Sequence, residues 1–178
     1  MSASIDKNNS NHPVWNVYDE YRTARLNVRY LEEQLKNLQK KNFWIEFSLA
    51  VSTSSSVAGQ WLWENAIGGY AWKVIGLIAA FLAILKPIIK LTEKIRKKSE
   101  KLSGYRLLEH ELHKIKILIS EYNKYDENLR KLFLKALDFK GELIKKHPEE
   151  HIDHKLREKC EKIVNNELPS NSFFIPEG

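Results

Sequence analysis

The chain has 178 residues and a formal charge of +6, with 29% charged and 43% hydrophobic residues, seven glycines and one cysteine. A lone cysteine excludes an intrachain disulfide framework and suits a cytosolic location for the part that carries it. The length admits either one ordinary domain or a membrane hairpin joined to one helical module.

Residues 1–13 (MSASIDKNNSNHP) are polar, and residues 1–12 are expected to be disordered. They hold no basic stretch followed by an apolar core, so nothing resembles a cleaved signal peptide and membrane insertion is expected to rely on later segments. After Pro13, the residues Val14, Val17, Tyr21, Ala24, Val28, Leu31, Leu35 and Leu38 recur at alternating spacings of three and four. This a/d pattern predicts a cytosolic heptad helix over 14–42, with the row serving as an oligomerisation seam or pairing with a later helix of the same chain.

Two apolar stretches follow within residues 43–91. The first, FWIEFSLAVSTSSSVAGQWLW (43–63), is long enough to span a bilayer but weakly hydrophobic, and the second, VIGLIAAFLAIL (74–85), carries no polar side chain. A span needs about 20 residues, so the second must extend over Ala71–Leu91 and include Lys73, Lys86 and Lys90 near its ends, where lysines snorkel to the headgroups. Trp44, Trp61, Trp63, Tyr70 and Trp72 cluster at the ends of the stretches, as amphipathic rings do at a bilayer interface. Lys36, Lys40 and Lys41 precede the first stretch and a run of lysines and one arginine from Lys86 to Lys101 follows the second, whereas the link 64–70 has no Lys or Arg. By the positive-inside rule both termini are cytoplasmic and the link faces outward. The competing expectation is a soluble bundle in which the short apolar run is a buried helix.

Within the first stretch Ser48, Ser52, Ser55 and Gly59 fall on one helical stripe, with Ser56 beside it. Such a stripe can line a water-filled path in an assembly, or pack closely against the small residues Gly76, Ala80 and Ala83 of the second stretch. Glu46 and Gln60 are the other unusual polar residues of the stretch, near opposite ends, and serve either as interfacial, solvated groups or as a polar constriction ring.

Beyond the hairpin, Ile88, Leu91, Ile95, Leu102 and Tyr105 form a stripe with Lys98 in one apolar slot, and Gly104 is expected to mark a kink or brief break. The stripe resumes as Leu108, Leu112, Ile115, Ile119 and Tyr122 and passes to Leu129, Phe133 and Ala136, with Asp126 as a polar exception. His147-Pro148-Glu149-Glu150 predicts the end of that run and the start of a last helix, Pro148 taking its first position. Ile152, Leu156, Cys160 and Ile163 mark its apolar row, which assigns Cys160 to packing. Residues 92–168 thus form a cytosolic helical region, and 169–178 a tail with Phe173, Phe174 and Ile175 exposed.

Chemistry is sparse. His147, His151 and His154 would share a face only on a helix that begins at or before His147, and Pro148 argues against that metal site. Neither catalytic residues nor a cofactor is expected, since no GxSxG, HExxH, kinase, P-loop or dinucleotide motif occurs. The basic run lacks any RNA-binding signature, so lipid is expected rather than nucleic acid.

The order of parts resembles the SLATT-type two-transmembrane effector family of bacterial anti-phage defence systems, over roughly residues 14–125. The resemblance is carried by FWIEFSLAVSTSSSVAGQWLW, KVIGLIAAFLAILKPIIKLTEK and YRLLEHELHKIKILISEY. It implies an inner-membrane effector that stays quiet until infection is sensed, then oligomerises and forms a pore or otherwise disrupts the membrane. A nucleotide second messenger or an inhibitory partner protein would control it. The alternatives are a membrane-anchored coiled-coil adaptor and a soluble helical interaction module.

Overall fold

The structure is a computed structural model and describes residues 12–62, 74, 77–78, 81, 90–148 and 152–176, with the side chains of 51–62 left aside. Among these residues it is all-α: α1 (Val14–Leu62), α2 (Leu91–Tyr122), α3 (Glu127–Lys146), α4 (His154–Glu167) and a 3₁₀ turn (Ser170–Ser172), without a strand. Two compact units divide the chain, one of Met1–Glu33 with Glu100–Gly178, the other of Gln34–Ser99.

The first unit is a helical bundle gathered on the start of α1. Val14, Val17 and Tyr18 are wholly buried, and Tyr21, Ala24, Val28 and Leu31 nearly so. Their cover comes from the same unit: Leu102, Leu108, Leu112, Ile115 and Ile119 of α2, Leu129, Phe133, Ala136 and Leu143 of α3, and Cys160 and Val164 of α4 are all buried. Polar ties radiate from α1. Glu20 accepts from Lys140 of α3 at 2.6 Å, Arg25 reaches Glu109 of α2 at 2.9 Å and Glu167 of α4 at 3.1 Å, and Arg22 donates to Asn165 at 2.7 Å. Burial works against the charge on Glu167, yet Arg25 and Arg29 together hold its carboxyl below the usual range. Partly exposed pairs of this kind contribute only about 0–1 kcal/mol each, so the apolar rows hold the bundle and the charges fix which helices meet.

Three expectations require correction. Gly104 does not break α2, which continues to Tyr122; a Cβ built there would stand 2.4 Å from Cδ2 of Leu143, so the glycine permits close approach of α3. The break falls later. Asn123 takes a left-handed φ of 49° after the last turn of α2, and Asp126 is the N-cap of α3, its carboxylate accepting from the N–H groups of Asn128 and Leu129 at 3.1 Å. The bond from Leu129 first, then the Lys124 ammonium at 3.0 Å, keep the Asp126 carboxyl below the ordinary range. The last helix starts at His154 and not at Pro148: Asp153 caps it by accepting from Leu156 N–H at 3.1 Å, and its own N–H donates to the Tyr30 hydroxyl at 2.9 Å. Pro148 instead follows the C-cap of α3 at His147, where it cannot continue the helix.

The tail is not wholly exposed either. Phe173 is buried, stacked on Tyr18 with ring centroids 4.5 Å apart and edge-on to Trp15 at 6.3 Å, with the Lys116 ammonium 5.0 Å from its centroid. Phe174 remains exposed, but its carbonyl accepts from the Tyr18 hydroxyl.

Candidate functional site

The second unit carries the residues on which a membrane contact would be built. In α1 it begins at Gln34, whose Oε1 accepts from Lys98 Nζ of α2 at 2.8 Å. That bond explains how Lys98 occupies a slot of the apolar stripe: its ammonium finds a polar partner while Leu91 of the same helix is buried. Lys36, Lys40 and Lys41 are exposed, and Lys97 pairs with Glu93 at 2.9 Å, which lowers the Glu93 carboxyl pKa chiefly through their hydrogen bond.

Further along α1, Phe43, Trp44 and Phe47 are 59%, 62% and 50% exposed, with their ring centroids 5.7–6.0 Å apart. Aromatic groups of this size are ordinarily covered in a folded chain. Val74, Leu77, Ile78 and Phe81 are helical, lie at i, i+3, i+4 and i+7, and are 53–74% exposed. The spacing puts all four on one face. That face is uncovered.

Of the serine stripe, Ser48 donates its hydroxyl to the Trp44 carbonyl at 2.7 Å, the back-bond to the i−4 carbonyl that serines make within helices. The backbone stays helical through Ser52, Ser55, Ser56 and Gly59, whose side chains lie outside the described residues, as do Gly76, Ala80 and Ala83. Among the described residues no helix is long and apolar enough to cross a membrane. Most of the second apolar stretch, including Lys86, falls outside them.

The heptad row divides. Val14, Val17, Tyr21, Ala24, Val28 and Leu31 are buried within one chain, while Leu35 and Leu38 are half-buried in the other unit. A second copy could reach the first six only if the bundle opened, so the row acts first as an internal seam. Phe173, expected to be exposed, joins it. Nothing in the local pattern around residue 173 names Tyr18 as its partner, 155 positions away; its aromatic pair, Phe173-Phe174, was the only signal.

The histidines do not converge. His147 caps α3 and His154 opens α4, so no single helical face unites them, and His151 lies outside the described residues. Among the described residues no group of three His, Cys, Asp or Glu could hold a metal ion. Cys160 is 1% exposed, and burial pushes its thiol up, which suits packing. No family model, no curated protein and no solved structure matches the chain.

Proposed function

We propose that this protein is an effector of bacterial anti-phage defence that anchors in the inner membrane through a hairpin over residues 43–91, both termini cytoplasmic, and on activation oligomerises to open a leak. The observation that carries this reading is the uncovered apolar face of Val74, Leu77, Ile78 and Phe81, in the same unit as the exposed Phe43, Trp44 and Phe47. Water contact at such side chains costs about 1.5–3 kcal/mol each relative to full burial, and acyl chains remove that cost. The bundle of the first unit would sit in the cytoplasm and receive the trigger. The Ser48, Ser52, Ser55 and Gly59 stripe would line or seal the path.

One observation favours the anchored-adaptor alternative: six residues of the heptad row are already covered within one chain, which leaves fewer of them for self-association. Membrane potential separates the two readings. The overproduced protein is expected to depolarise cells, and Ser52→Leu with Ser55→Leu to accumulate in the membrane with less depolarisation. Abundant membrane-bound parent protein without depolarisation would leave the adaptor.

A further inference from the structure

The charge of this chain is segregated. Between Gln34 and Ser99 there are ten Lys or Arg against three Glu, a net +7, so the rest of the chain, at −1, contributes nothing to the overall +6. On α2, Lys94 and Lys97 lie about one turn apart on one helical face, Lys90 immediately precedes the helix with its carbonyl accepting from Lys94 N–H at 3.0 Å, and all three are exposed. On α1, Lys36, Lys40 and Lys41 are exposed as well.

The order of residue types is the same along both helices. Away from the Gln34–Lys98 hydrogen bond, α1 presents Lys36, Lys40 and Lys41 before Phe43, Trp44 and Phe47. Away from the same bond in the other direction of the sequence, the chain presents Lys97, Lys94 and Lys90 before Phe81, Ile78, Leu77 and Val74. Lysine first and exposed apolar groups second is the order of chemistry met on entering an anionic leaflet, phosphate and then acyl chain. A nucleic acid offers the phosphate without the apolar layer.

Lys90 adds a separate observation. It sits at φ 46°, the left-handed region where glycine or asparagine is at ease and a long side chain is strained, directly before the first turn of α2. Glycine there would relieve the backbone and remove the charge.

We infer that the exposed lysines of the Gln34–Ser99 unit, led by Lys90, Lys94 and Lys97, form a recognition surface for anionic phospholipid headgroups. The inference rests on the membrane reading above and narrows it from any bilayer to a negatively charged one. Each lysine at such a surface changes affinity about fivefold at low salt, an effect that fades within a Debye length as salt rises.

The full chain, reconstituted in vesicles, tests this through quenching of its tryptophans by lipids brominated in the acyl chain, one series of phosphatidylglycerol and one of phosphatidylcholine. The parent should prefer the anionic lipid by about fivefold or more, and salt should erode the preference. Lys90→Gly alone should weaken the preference while the protein melts no lower, a separation that a purely structural lysine would not give. Adding Lys94→Gln and Lys97→Gln should bring the two lipids to near parity. Equal quenching of the parent by both lipids would overturn the inference and leave the membrane reading standing; quenching by neither would remove both. A preference abolished by added duplex DNA would assign the lysines to nucleic acid and also overturn it.

Discussion

Tyr18 shows how much one residue ties together. Its ring is fully buried, stacks on Phe173 and sends its hydroxyl to the Phe174 carbonyl, joining the first turns of α1 to the tail. Burial raises its pKa from 10.0 to about 12, so the folded state holds the proton after an unfolded tyrosine has lost it. A group with a raised pKa stabilises fully below its unfolded value and loses that contribution as pH climbs to the folded value. Thermal stability should therefore fall between pH 10 and about 12. Tyr21 and Tyr125, also raised chiefly by burial, add to the same fall. Tyr18→Phe should lower stability near neutral pH by about 1 kcal/mol, the typical net effect of one hydrogen bond, and make the alkaline loss shallower. An unchanged alkaline slope would mean that Tyr18 ionises as freely in the fold as outside it.

Among the elements, α2 and α3 separate what the pattern could and could not reveal. The three-and-four spacing from Leu102 to Ile119 announces a helix with one buried face, and Leu102, Leu108, Leu112, Ile115 and Ile119 are buried. Gly104 was open to two readings, because a glycine within a helical stripe serves equally as a weak point or as a gap for a neighbour. Only the position of Leu143, distant in sequence, decides between them. Asp126 had a similar ambiguity. Three residues before Leu129, it occupies either an interior slot or a cap, and the left-handed turn at Asn123 makes it the cap. Two glycine substitutions test this account of packing. Gly141→Ala in α3 meets no atom within 4 Å and should raise stability by about 1 kcal/mol, the helix-propensity difference. Gly104→Ala has the same local gain but drives a methyl against Leu143, so it should yield no increase in melting temperature. Equal gains at both positions would show that α2 and α3 do not pack closely there.

At the scale of the whole molecule the sequence separated a charged helical region from an apolar one, and the described residues agree on all-α architecture. The apolar face of Val74, Leu77, Ile78 and Phe81 was legible because helical spacing alone puts the four together; its exposure was not, since a buried helix of a soluble bundle has the same pattern. The tail and the capping of α4 were illegible for another reason, as both depend on α1 residues, Tyr18 and Tyr30, more than a hundred positions away. The membrane reading requires that residues 43–91 cross the bilayer twice. Single-cysteine labelling of intact spheroplasts with an impermeant maleimide tests it most directly, in a Cys160→Ser background. The account predicts that Gly68→Cys is labelled from outside and Gln39→Cys is not until the membrane is broken; labelling of both from outside, or of neither, would contradict it.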